Sequence, residues 1–371
     1  MAVVSHLSCM AGRTAGNGAA GFAPGLARRT LLGGLAALPV LAGLTPGQAA
    51  RAAVATAPAL DPAALERVAE KARGLDRLHS LIVAQHGEIA LGEAFRGPAL
   101  DRPANVKSVS KTLVAALTGA ALDRGLLSGT DQPLSELMPG LIPAEADPRA
   151  GAITVADLLT MQAGLERTSG ANYGRWVQSP DWVRFALTRR FIAEPGARML
   201  YSTGSYHLLG VALSQASGRS LLALARDWLG APLEIDFPPW TRDPQGFYLG
   251  GNNMLLSPLA LLRFGELYRQ GGLWQERRVL GADWVEASWQ PRTYSPFSRH
   301  DYGYGWFLAR AAGQRVAYAR GYGGQMLYLV PDLGLTVVVT SDPTRPARSR
   351  GYVGDLNALL AEDIIPAAEG V

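Results

Sequence analysis

One cysteine, three lysines and five histidines are the scarce residues of this sequence, and each scarcity closes off a chemistry. Cys9 alone cannot form an intrachain disulfide, and it lies in a stretch that reads as a leader, so the exported chain would carry no thiol nucleophile and no thiolate metal ligand. None of the histidines stands in an H-x-x-x-H pair or beside carboxylates at ligand spacing, so neither metal nor cofactor is expected. His86 reads as a turn residue, His207 as a packed core histidine and His300 as a loop residue able to reach a cleft. No serine occupies G-x-S-x-G, which removes the nucleophile elbow of Ser-His-Asp hydrolases. "GGLWQ" and "LGGNNM" contain glycine but lack the strand-turn-helix setting of a phosphate loop.

Charge is also sparse, at 18% of residues. The formal net charge of +4 comes from the first 52 residues, which hold Arg13, Arg28, Arg29 and Arg51 and no acid. The remainder has 31 basic and 31 acidic residues. A neutral body gives no electrostatic ground for binding nucleic acid. Beyond the leader no apolar run approaches the roughly 20 residues of a membrane span, so no stable span is expected in the mature form.

With 48% apolar residues in a non-repetitive sequence, the chain is globular. "ARRTLLGGLAALPVLAGL" places Arg28 and Arg29 before a short apolar run, and small residues follow in "GQAARAA". This is the pattern of a twin-arginine export signal, so residues 1–52 are expected to be a leader and the protein to be periplasmic or extracellular. Residues 53–371 read as one domain. "DPAALERVAEKARGL" suits an amphipathic helix capped by Asp61. "LIVAQHGEIALGEAF" reads as a hairpin turning at His86 and Gly87. From about residue 131 to 289 the pattern is helical and rich in loops. "YGYGWFLAR", "QRVAYAR", "QMLYLVP" and "LTVVVTS" then read as antiparallel strands, and "YVGDLNALLAEDII" as a closing helix. The fold class is therefore α+β: an antiparallel sheet formed by both chain ends and flanked by helices, with an inserted, mainly helical region.

Two of the three lysines fall in "NVKSVSKTLVAALTGAAL". Arginine is always protonated, whereas a desolvated lysine can lose its charge and act as a base. On a helix, Ser108 and Lys111 share a face one turn apart, and the helix start favours negative charge near the serine oxygen. Leu113, Val114, Leu117, Ala120 and Ala121 recur at helical spacing, which predicts a buried and rigid helix. "MLYSTGSYHLLG" places Tyr201 and Ser202 on a loop entering a second helix.

These elements together resemble the serine β-lactamase and penicillin-binding protein superfamily, in its class C-like branch of esterases, D-aminopeptidases and 6-aminohexanoate-dimer hydrolases. "ITVADLLTMQAGL", "GGNNMLLSPLALLRFGELYRQGGLW" and "YGYGWFL" extend the likeness over roughly residues 60 to 365. The resemblance implies a β-lactamase/transpeptidase-like fold and an acyl-enzyme on Ser108, with Lys111 and Tyr201 as the general acid/base pair. Thr203 stands where the family's Y-x-N motif has asparagine. Ala319, Arg320 and Gly321 stand where the third motif has K-T-G or H-x-G. The oxyanion would be held by the backbone N–H groups of Ser108 and Tyr322. Because adjacent strand residues point to opposite faces, Arg320 is expected to project away from where Ala319 points, leaving the site without its usual cation and β-lactam hydrolysis weak. Trp176, Trp182 and Trp240 fall in the inserted region, as an acyl pocket or as core.

The expected function is an exported serine hydrolase of small esters or amides. The alternatives are a non-catalytic protein that binds cell-wall peptides or β-lactams, and a true class C-like β-lactamase. If Lys111 acts as a neutral base, activity rises with pH through an apparent pKa well below the reference value of about 10.4. Lys111→Arg should then abolish hydrolysis as fully as Lys111→Ala, measured on an ester substrate, because arginine keeps its charge but cannot deprotonate.

Overall fold

The structure, a computed structural model, describes residues 60–370. The expected leader, with Arg28, Arg29 and Cys9, lies outside the described residues. Strands form where β-branched and aromatic residues recur between turn-forming residues. β1 (Leu78–Gln85) and β2 (Glu88–Ala94) make the expected hairpin, which turns at His86 and Gly87. The later part of the chain contributes β3 (Thr293–Ser295), β4 (His300–Tyr302), β5 (Phe307–Ala311), β6 (Gln314–Gly321), β7 (Gln325–Val330) and β8 (Leu335–Ser341). One antiparallel sheet joins all eight in the order β2-β1-β8-β7-β6-β5-β4-β3. β1 pairs with β8, Val83 opposite Val337, so the early hairpin is completed by the last strand of the chain.

The sequence reading assigns no strand to "TYSPFSRHDY", yet β3 and β4 pair there. Pro296 and Arg299, the latter at φ 62°, fall in the turn where neither interrupts the ladder. Pairing of β4 with β5 outweighs a weak local preference. His300 therefore sits on a strand rather than in a loop.

β7 and β8 are buried at every position, which means that both faces of the sheet are covered. Four long helices matter for the site: α1 (Pro62–Gly74), α2 (Ser110–Asp123), α3 (Thr203–Ser217) and α4 (Pro258–Arg269). Asp61 caps α1 by accepting from the Ala63 and Ala64 amides. α1 packs beside the C-terminal helix, which runs from 352 to 369 with a π turn at Leu359–Ile364. That helix covers one sheet face, where the Tyr328 hydroxyl donates to Asn357 at 2.8 Å. α4 covers the other face, its Gly265 pressed against Leu327, Leu329 and Thr336. α2 and α3 lie against each other, α3 within the mainly helical region between the two strand groups.

Residues Ser110 to Ala121 of α2 are all buried. The apolar positions seen in the sequence are thus only part of a helix enclosed on every side. α2 is reached through a 3-10 turn, Lys107–Val109, which packs on β6 and β7. The fit is close at the end of β6, where a Cβ on Gly321 would lie 2.4 Å from the Val106 carbonyl oxygen. Gly321→Ala is expected to cost about 1–3 kcal/mol through overpacking. A thermal melt lowered by several degrees, followed by circular dichroism, checks this.

Candidate active site

Ser108 sits in the 3-10 turn that opens α2, held there by polar contacts from three directions. Lys107 adopts φ 51°, a strained value for a residue with a side chain. Asn105 stabilises it by accepting from the Lys107 amide at 2.9 Å, and the Ser110 hydroxyl donates to the Lys107 carbonyl at 2.5 Å. Ser110 Oγ in turn accepts from the Met254 amide at 3.0 Å. The short pairing of Ala104–Asn105 with Leu255–Leu256 ties the same two segments together.

Lys111 is fully buried, with Nζ 2.9 Å from Ser108 Oγ. Nζ donates to the Gly251 carbonyl at 2.5 Å and reaches Thr203 Oγ1 at 3.4 Å. Among the described residues it has no carboxylate partner. An unpaired buried ammonium is costly, and burial brings Lys111 down from 10.5 to about 7. Tyr201 lies on the loop entering α3, its ring centroid 5.1 Å from Lys111 Nζ. Burial pushes the phenol above its ordinary value of 10, opposed by the Ser108 hydroxyl and then by the charge of Arg320. The two groups are thus moved in opposite directions at neutral pH: the amine toward its neutral base form, the phenol toward its protonated form.

Thr203 is the first residue of α3, whose N-terminus is capped from a distant loop. Ser169 Oγ accepts from the Thr203 amide and Thr168 Oγ1 from the Gly204 amide, each at 2.8 Å. Ser169 Oγ also lies 2.9 Å from Thr203 Oγ1, which fixes the hydroxyl aimed at Lys111.

A cleft of about 610 Å³ opens over this group and is bordered by Ser108, Tyr201, Thr203, Arg320, Gly321 and Tyr322. Arg320 requires a correction. Side chains on β6 do alternate, but Ala319 is the one that turns into the core, at 1% exposure, while Arg320 borders the cleft. It donates to Ser349 Oγ at 2.8 Å and to the Ala347 carbonyl at 3.0 Å, and among the described residues it forms no ion pair. The cleft therefore has a cation on this wall, and Lys107 adds another; among the described residues no carboxylate lines it. Trp176, Trp182 and Trp240 are core residues and do not border the cleft, whose aromatic walls are instead Tyr173, Tyr201, Phe297, Phe307 and Tyr322. His300 stays behind that wall, its Nδ1 2.9 Å from the Tyr318 hydroxyl.

The sequence reading did not single out Lys107, Ser169, Gly251, Asn252 or Asn253, all of which touch Lys111 or line the cleft. The signal available was "LGGNNM", a loop of small and amide residues. Its part is a backbone carbonyl and an anchoring amide, and side-chain identity does not advertise either one.

An eight-stranded antiparallel sheet closed by both chain ends, covered by helices and holding a serine and a buried lysine over an inserted helical region, is the β-lactamase/transpeptidase fold. A family model described as Beta-lactamase matches residues 79–362, and the chain belongs to that family. Sequence relatives include the probable fimbrial assembly protein FimD, serogroup H1, of Dichelobacter nodosus, 31% identical over 153 residues, covering 38% of this chain and 37% of that protein. The D-alanyl-D-alanine-carboxypeptidase/endopeptidase AmpH of Escherichia coli (strain K12) is 27% identical over 170 residues, covering 44% of this chain and 43% of that protein. The match spans less than half the length of each of these two relatives. The structure of a beta-lactamase/D-alanine carboxypeptidase from Yersinia pestis superposes with a TM-score of 0.63 at 17% identity, covering 82% of this chain and 98% of that one.

Lys111 also sets a stability prediction. Between about pH 7 and about pH 10.5 the unfolded chain binds a proton that the folded one has released, so stability rises with pH across that window and the lysine's cost is greatest below it. At pH 7 that cost is on the order of 4 kcal/mol. Lys111→Met should raise the melting temperature at pH 7 by several degrees, with a gain that shrinks toward pH 10, in calorimetric scans of both proteins.

Proposed function

We propose that this beta-lactamase-family protein is a serine hydrolase that cleaves ester or amide bonds of small substrates through an acyl-enzyme on Ser108. The observation that carries the reading is Lys111 Nζ at 2.9 Å from Ser108 Oγ, buried without a carboxylate and brought to about 7. The neutral amine takes the Ser108 proton as Oγ attacks the substrate carbonyl. The backbone N–H groups of Ser108, at a helix start, and of Tyr322, just past the end of β6, hold the oxyanion. Tyr201, kept protonated by burial, donates to the leaving group, and the reverse transfer activates water against the acyl-enzyme. Export through a twin-arginine signal belongs to the same proposal.

The charge of the cleft extends the reading to substrates. Among the described residues two cations and no carboxylate line it, which favours acyl compounds that are neutral or carry a carboxylate over cationic ones. The name of the Escherichia coli relative, a D-alanyl-D-alanine carboxypeptidase, is in keeping with this. With Arg320 at the cleft, the ground for expecting weak β-lactam hydrolysis falls away.

A panel of p-nitrophenyl esters, nitrocefin, D-alanyl-D-alanine peptides and linear amide oligomers tests the reading, with Ser108→Ala alongside. Hydrolysis lost in Ser108→Ala, together with fluorophosphonate labelling of Ser108, supports it; equal rates in the two proteins, or a serine that never labels, turn it toward a non-catalytic binder. kcat/KM should rise with pH through an apparent value near 7. Arg320→Ala should lower kcat/KM for carboxylate-bearing substrates by about 10- to 150-fold, the worth of a charge-assisted contact, and leave neutral esters nearly unchanged.

A further inference from the structure

A second buried polar pair lies outside the cleft. His207, on α3 one turn after Thr203, places Nε2 3.0 Å from Asp243 Oδ2, and both side chains are wholly excluded from solvent. The imidazole packs at a steep angle against both Trp176 and Trp182, with ring centroids 5.8 and 5.6 Å away and the two indoles 5.2 Å from each other, and among the described residues its Nδ1 has no partner. Two buried polar side chains of this kind are destabilising unless their bond is kept, so the contact is rigid wherever the protein is folded.

Asp243 works in two directions. Its Oδ1 accepts from the Phe247 amide at 2.8 Å and closes a tight loop, while Oδ2 fastens that loop to α3. The loop is further braced by Leu249 N–H on the Thr241 carbonyl and by the Trp240 indole N–H on the Leu249 carbonyl, each at 2.9 Å. The chain leaving it runs flat along α3: a Cβ on Gly250 would lie 2.2 Å from the Tyr206 carbonyl oxygen, and one on Gly251 2.7 Å from that of Thr203. Gly251 then presents its carbonyl to Lys111 at 2.5 Å.

We infer that His207 and Asp243 are positioning residues for catalysis: their bond seats the 241–249 loop on α3 and thereby fixes the Gly251 carbonyl that orients Lys111. With one N–H on Gly251 and another toward Thr203, the lone pair of the neutral amine points at Ser108 Oγ. If the loop lifts, the amine turns freely and proton transfer from Ser108 slows, while the cleft walls that bind substrate stay in place. The inference rests on the proposed role of Lys111.

The test measures kcat and KM on a p-nitrophenyl ester well below the melting temperature, per active site counted by complete fluorophosphonate labelling. Lys111→Ala reports on the site reading by itself; a wild-type rate there sinks that reading and this inference with it. His207→Phe keeps a ring against the two tryptophans but loses the hydrogen bond. It should lower kcat about 10- to 100-fold with KM within about 3-fold, the scale of a small misplacement of a reacting group. His207→Gln, whose amide can donate to Asp243, should recover most of the loss. A folded His207→Phe with wild-type kcat per site overturns the inference even when Lys111→Ala is inactive. So does a variant that only melts earlier, which assigns the pair to stability alone. Should His207→Phe fail to fold, His207→Met, which also removes the hydrogen bond and fills the space with a flexible apolar side chain, is measured in its place; it should lower kcat in the same way, and loss of folding in both variants also overturns the inference.

Discussion

The nitrogen of Lys111, enclosed at the start of α2 with no carboxylate beside it among the described residues, is the point on which the rest of this molecule converges. A charge so placed is unfavourable, and the chain meets it with hydroxyls and a carbonyl instead of an acid: Ser108, Thr203 and Gly251. An aspartate in their place would hold the lysine charged and remove the base that the proposed hydrolysis needs. In the proposed hydrolase the arrangement exchanges stability for reactivity, which is the usual direction of compromise at a functional site.

Each of the three partners comes from a different part of the chain, and each is held by contacts that have no chemistry of their own. Ser108 depends on a strained Lys107 backbone and on the Ser110 hydroxyl bridging to Met254. Thr203 depends on caps supplied by Thr168 and Ser169. Gly251 depends on a loop pinned to α3 and on the absence of a side chain where two backbones meet. The sheet supplies the fixed floor, and its end at Gly321 comes close enough to the Ser108 turn that only hydrogen fits between them.

The wall of the cleft shows how one strand divides two tasks. On β6, Ala319 is buried in the core, and Arg320 on the opposite face borders the cleft, held by Ser349 and Ala347. A motif position that has lost its usual lysine has thus not left the site without positive charge.

Much of the fold was legible in the sequence because it is written in local patterns: the capped helix behind Asp61, the hairpin at His86 and Gly87, four of the six late strands, and a serine and lysine one turn apart at a helix start. Those signals depend on near neighbours, so a one-dimensional reading captures them. The hairpin of β3 and β4 escaped because its strands are only three residues long and are joined to the sheet through the pairing of β4 with β5. The face taken by Arg320 could not be read either, since alternation says that neighbours oppose and never which of them meets the core. Tertiary structure alone decided that Lys111 would find the carbonyl of Gly251 and no acid, and that His207 would meet Asp243. Backbone groups and long-range partners leave no mark on residue identity, and burial, which sets the chemistry of Lys111, is a property of the packed chain.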